Sequence, residues 1–183
     1  PCRIPFISYP YEWCFSQLKD AALATLRIQK KAFEAGMTLK DASAYNIQFE
    51  GARPVMMDTL SFERYREGEP WVAYRQFCQH FMAPLALMAR TDVRLGRMLR
   101  TYIDGIPLDL ASRLLPVRTR LSPSLFTHIH LHARYQRRYA DSGREDVQAR
   151  KRNIGRLGFA GLIDNLESTV RKLTWKPAGT EWG

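Results

Sequence analysis

Apolar side chains recur at helical spacing along Phe15, Leu18, Ala22, Leu26 and Phe33, and Gly36 supplies a stop. With Ser16 as the expected N-cap, this predicts an amphipathic helix over residues 16–36. Upstream of it, Pro5 and Pro10 force an extended path through an aromatic stretch. After Gly36 the helical period stops, and residues 37–45 read as a loop. Ile47 and Phe49 then alternate as in a half-buried strand over 46–50. Residues 51–54, with Gly51 and Pro54, read as a four-residue turn, and 55–58 as the returning strand of a hairpin. Residues 59–70 read as a polar loop.

Trp71, Tyr74, Phe77, Phe81 and Leu85 form a second helical stripe, a core face, over 71–89, with Pro84 expected to kink it. Thr91 or Asp92 caps a third helix reaching Tyr102. Asp104-Gly105-Ile106-Pro107 is a turn before a short helix at 108–115. Ser122-Pro123 opens a helix running to about Ala140, residues 141–144 break it, and a last helix covers 157–173. The predicted fold class is mainly α with a small β-hairpin.

Composition narrows the classes without changing that picture. The 183 residues are 45% hydrophobic and 25% charged, which is ordinary for a globular chain and excludes disorder throughout. The longest uncharged stretch of note, 76–89, is too short for a membrane span and is broken by Gln79, His80 and Pro84. Cys2, Cys14 and Cys78 have no metal-binding spacing. They fit a reducing cytoplasm, and Cys14 and Cys78, among apolar neighbours, read as inert buried thiols. The chain opens on Pro1-Cys2-Arg3 without a methionine and reads as a piece of a longer protein. The formal net charge is +10, nearly all of it in the second half and densest at residues 134–156. Such a patch can attract a polyanion, but a solvated basic face is the expected reading, so nucleic acid is not the expected partner.

The chemistry-bearing pattern surrounds the hairpin. Asp41 and Asn46 precede it, five residues apart, and Asp58 ends its second strand after Val55-Met56-Met57. Phosphoryl transfer from a nucleotide uses such a set. One carboxylate orients the attacking hydroxyl, and an amide oxygen with a second carboxylate holds the metal ions. Asp41 is therefore the candidate catalytic residue, and Asn46 and Asp58 are the candidate metal ligands.

This order resembles the carboxy-terminal lobe of the protein-kinase-like fold, above all small-molecule kinases of the aminoglycoside phosphotransferase type, over residues 1 to about 90. Residues 1–15 take the place of the hinge, and 37–58 that of the catalytic-loop hairpin. The resemblance implies Mg and ATP as cofactors, a small-molecule substrate and an upstream lobe. Two positions depart from the pattern: Leu39 replaces the usual His or Tyr, and Thr59 replaces the glycine after the metal-binding aspartate. A second resemblance runs through Pro5-Phe6-Ile7-Ser8-Tyr9-Pro10-Tyr11-Glu12-Trp13, Leu39-Lys40-Asp41-Ala42-Ser43-Ala44-Tyr45-Asn46 and Trp71-Val72-Ala73-Tyr74-Arg75-Gln76-Phe77-Cys78. It is similar to the region before the methyltransferase domain of bacterial class I S-adenosylmethionine-dependent methyltransferases of the nodulation-protein type. That implies a downstream domain using S-adenosylmethionine. The expected organisation is a kinase-like lobe over 1–140, then a basic connector, final helix and tail over 141–183. The expected function is a non-catalytic, substrate-positioning module. The alternatives are an active phosphotransferase half-site and a polyanion-binding module.

Three further features carry less. His128, His130 and His132 would share one face of a strand, but their flanks favour a helix, where buried or hydrogen-bonded histidines are expected. Gly155, Gly158 and Gly161 are spaced for a helix, not for a cofactor turn, and suggest close packing or flexibility at a helix start. Tyr135-Gln136-Arg137-Arg138-Tyr139 interleaves aromatic rings with arginine in a way that could stack on RNA.

Overall fold

The computed structural model describes Ile4, residues 6–134 and residues 155–176. The described chain is mainly helical, with two small antiparallel sheets. None of its helices is long and apolar enough to cross a membrane.

Helix α1 spans Phe15–Glu34 and buries Phe15, Leu18, Ala22 and Leu26 along one stripe. Its N-cap is Cys14 rather than Ser16, because Ser16 already lies in the first turn; the Cys14 N–H donates to Gln17 Oε1 at 3.0 Å. Cys14 is exposed there, contrary to the buried thiol expected, whereas Cys78 is buried. Gly36, at φ +73°, ends the helix and turns the chain into a strand.

That strand corrects the loop expected at 37–45. β1 (Met37–Leu39) pairs antiparallel with a fourth strand inside the expected polar loop at 59–70, β4 (Phe62–Arg64), in the register Met37↔Arg64 and Leu39↔Phe62. Three residues are too few for alternation to show in a sequence. Between them lies the expected hairpin, β2 (Ile47–Glu50) with β3 (Arg53–Met56). Its connection is the two residues Gly51-Ala52 rather than four, with Gly51 at φ +61°. Pro54 is taken into the ladder opposite Phe49, which a two-stranded edge permits.

The second stripe begins at α2 (Tyr74–Phe77), widens into a π-turn at Cys78–Met82 and continues as α3 (Ala83–Arg90). In the π-turn the Ala83 N–H reaches back five residues to the Cys78 carbonyl. The next residue in that register is Pro84, which has no N–H for the Gln79 carbonyl. Ile106 N–H takes its place at 2.9 Å, so a loop from elsewhere repairs the break. Gly105 makes this approach possible: at φ +89°, an added Cβ would stand 2.7 Å from Gln79 Cβ and 3.0 Å from His80 Cδ2.

The third helix is a 3₁₀ segment, Val93–Arg100, and Asp92 caps it by accepting from Arg94 N–H at 2.8 Å. α4 (Leu108–Leu114) and α5 (Pro123–Leu125) follow, the latter running into a π-turn at Phe126–Leu131. The expected continuation to residue 140, the break at 141–144 and the Tyr135–Tyr139 stretch lie outside the described residues. α6 (Arg156–Lys172) packs on α1 and places Phe159, Ile163, Leu166 and Val170 in the same core as Phe77, Phe81 and Leu85. Lys19 Nζ donates to the Arg171 and Leu173 carbonyls, both at 2.8 Å, closing the negative end of α6. Lys30 pairs with Asp164 at 2.7 Å and also with Glu167. Gly155 starts α6, and an added Cβ at Gly161 would meet nothing, so close packing is not its role.

Gly105→Ala should destabilise the protein by about 2–4 kcal/mol, since left-handed strain and overpacking act together. Gly36→Ala, with a similar φ but open space around it, should cost only about 1 kcal/mol. Urea denaturation of the two variants gives the comparison, and equal losses would contradict the close approach.

Candidate functional site

The site is assembled between the two sheets. Leu39, fully buried at the end of β1, is fixed on both sides: its N–H donates to Gln29 Oε1 of α1 at 2.8 Å, and its carbonyl accepts from Trp71 Nε1 at 2.7 Å. The next amide, Lys40 N–H, donates to the Ser61 carbonyl at 2.8 Å, which prolongs the β1–β4 ladder. Asp41 closes a local turn, its Oδ1 accepting from Ser43 N–H at 2.8 Å. Ala42 N–H is held by Gln76 Oε1 of α2 at 2.7 Å. Ser43 then caps a single 3₁₀ turn, Ala44–Asn46, accepting from Tyr45 N–H at 3.2 Å.

Asn46 and Asp58 come together at the open end of the hairpin. Met57 N–H donates to the Asn46 carbonyl at 2.8 Å, one step beyond the β2–β3 ladder. Their side chains are joined through Ser61: Asn46 Nδ2 donates to Ser61 Oγ at 3.2 Å, and Ser61 Oγ donates to Asp58 Oδ2 at 2.6 Å. Asp58 Oδ1 accepts from Leu60 N–H at 2.8 Å. The Ser61 hydroxyl, the Leu60 amide and the Lys40 charge hold the Asp58 carboxyl below the usual carboxylate range. Asp41 stands apart from this chain of bonds. Its charge acts instead on His80 of the π-turn, a buried ring that burial pushes down to about 4 and whose Nδ1 has no partner among the described residues. Tyr45 meets the His80 ring edge-on at 6.3 Å.

The amino-terminal segment lies along the same hairpin. Gln48 of β2 grips Ser8 twice, accepting from its N–H at 3.1 Å and donating to its carbonyl at 3.0 Å. Tyr9 and Tyr11 stack at 5.4 Å just beyond.

Sequence reasoning picked out Asn46 and Asp58 but missed Ser61, Gln29, Gln48 and Gln76. Asp58-x-x-Ser61 is an acid-and-hydroxyl turn spacing that could have flagged Ser61. The glutamines carried no such sign, since a polar residue on a helix or strand ordinarily faces water. The histidine run is helical, as its flanks suggested, and each buried ring is bonded within the fold. His128 hydrogen-bonds Tyr74 OH at 2.6 Å and Asn165 Oδ1 at 2.7 Å; His130 hydrogen-bonds Ser112 Oγ at 2.8 Å and Thr119 Oγ1 at 2.9 Å. Among the described residues no three His, Cys, Asp or Glu side chains converge as a metal set.

No family model matches the chain, and no solved structure matches it. It is 38% identical over 168 residues to Nodulation protein NoeA of Rhizobium meliloti (strain 1021). The match takes in 91% of this chain and 35% of that protein, so the chain spans about a third of the length of the curated relative it matches.

The lowered Asp58 pKa means that its charge favours folding above the usual carboxylate range, and that this contribution is lost as pH falls through the folded-state value. Ser61→Ala removes the first cause of the shift. The Asp58 carboxyl, followed by NMR, should then titrate closer to its ordinary value than in the parent protein. An unmoved titration would show that Ser61 does not bridge the pair.

Proposed function

We propose that this chain is a kinase-like module of a larger transferase, holding a substrate or partner for methyl transfer by a domain downstream that uses S-adenosylmethionine, and not itself a catalyst. The observation that carries this reading is the state of Asp58. Its two oxygens are turned onto its own loop, to Leu60 N–H and the Ser61 hydroxyl, and the Asn46 amide nitrogen is directed to the same serine. The departures at Leu39 and Thr59 point the same way: the position before the loop is a core residue instead of a polar one. The larger context is supported by the likeness to a nodulation protein roughly three times the length of the match. Gly155, Gly158 and Gly161 lie at the start of α6 and along it, spaced by three as on a helix and not as the glycines of a nucleotide-cofactor turn.

A second reading, Mg-dependent phosphotransfer by a half-site completed by an upstream lobe, is favoured by the meeting of Asn46 and Asp58 through one shared serine. The donor set fits the metal. An amide oxygen and a carboxylate are hard ligands, and Mg²⁺ completes its octahedron with water and phosphate oxygens. The residues that would hold it are Asn46 and Asp58, with Asp41 on the adjoining loop to orient a hydroxyl. The third reading, polyanion binding through residues 134–156, concerns a stretch of which nearly all lies outside the described residues.

Isothermal titration calorimetry of the full-length protein, any upstream lobe included, with ATP in the presence and absence of Mg²⁺ separates the first two readings. The module reading expects no magnesium-dependent heat, and the same trace for Asp58→Ala. Magnesium-dependent binding that Asp58→Ala abolishes and Asp41→Ala spares would overturn it in favour of phosphotransfer.

A further inference from the structure

An open cleft of about 530 Å³ lies between α1 and β3. Its floor is apolar, formed by Ile28 of α1, Val55 and Met56 of β3, and Phe62 of β4. Its charged lining is cationic apart from Asp58. Arg27 and Lys31 project from successive turns of α1, and Arg53 comes from β3. Like charges four residues apart on a helix disfavour it, so the pair is not there for the helix's sake. Neither Arg27 nor Lys31 has an ion-pair or hydrogen-bond partner among the described residues, while Arg53 pairs with Glu50 on its own hairpin. The one carboxylate in the lining, Asp58, is bonded to Ser61 and Leu60.

An apolar trough with a few convergent charges is how small-molecule sites are built, and volumes of roughly 300–1,000 Å³ are usual for them. Arg27 and Lys31 are exposed, so their attraction for a charge of opposite sign is screened by water, and contact of an apolar body with the floor adds to it. We infer that the cleft between α1 and β3 binds a small amphipathic organic anion, with an apolar body on Ile28, Val55 and Met56 and a carboxylate or phosphate group between Arg27 and Lys31. Of the three hairpin-site residues only Asp58 lines the cleft, and the anion is placed on Arg27 and Lys31 of α1 and not on its carboxylate.

Three probes with one apolar body test it: 1-naphthoate, 1-naphthyl phosphate and neutral 1-naphthol, titrated into the protein and followed by naphthyl fluorescence. At least one anion should bind with a submillimolar Kd, about ten-fold or more tighter than the naphthol. The tighter of the two identifies the head group. The double variant Arg27→Gln/Lys31→Gln should weaken the anion by about ten-fold or more and leave the naphthol unchanged, with the helical circular dichroism intact because both side chains are exposed. Arg118→Gln/Arg120→Gln, on a different segment, should change neither. The inference is overturned if no anion binds, if naphthol binds as well as the anions, or if the α1 double variant keeps the parent affinity.

Discussion

Three residues of β1 paired with three of β4 hold the rest of this architecture in place. The chain leaves the ladder at Leu39 and re-enters it at Phe62, so the loop carrying Asp41, the whole hairpin and the turn carrying Asp58 form one excursion closed at its base. Without that closure, Asn46 and Asp58 would still be neighbours across the hairpin end, but Ser61 would not be carried between them. The ladder is itself anchored. Gln29 of α1 reaches the Leu39 amide and the Thr38 hydroxyl, and Trp71 reaches the Leu39 carbonyl from the other side. A short two-stranded ladder is marginal in water, so these ties to the helical core are what make it persist.

The second anchor is the π-turn. Widening the helix at Cys78–Met82 places a carbonyl where proline cannot serve it, and the Gly105 loop closes over the gap. The same turn buries His80 beneath that loop, while Gln76, just before it, holds the Asp41 loop at Ala42. The break in the hydrogen-bond ladder at Pro84 thus becomes a docking point between the helical layer and the candidate site.

What could be read from the sequence divides along physical lines. α1 and the stripe from Trp71 to Leu85 were legible because several turns repeat one apolar face. The hairpin was legible because Ile47 and Phe49 alternate and Gly51 marks a turn, and this alone placed Asn46 opposite the residues leading to Asp58. β1 and β4 were not legible: three residues carry no period, and their pairing is a long-range choice made by Gln29 and Trp71. Ser61 matters only after that pairing. Cys14 looked buried because Trp13 and Phe15 beside it are buried, but alternate residues at a helix start face opposite ways. The histidines were legible as helical, though their partners Ser112, Thr119 and Asn165 come from distant segments.

The closed base of the excursion predicts how the amides around it open. Native-state hydrogen exchange reports this residue by residue. The N–H groups of Leu39, Lys40 and Tyr65 are bonded to Gln29, Ser61 and Gly36. They should exchange only through global unfolding, with the same opening free energy as the amides at the centre of α1. Exchange of these three at the rate of a fraying surface loop, while α1 stays protected, would contradict the claim that the β1–β4 ladder holds the site together.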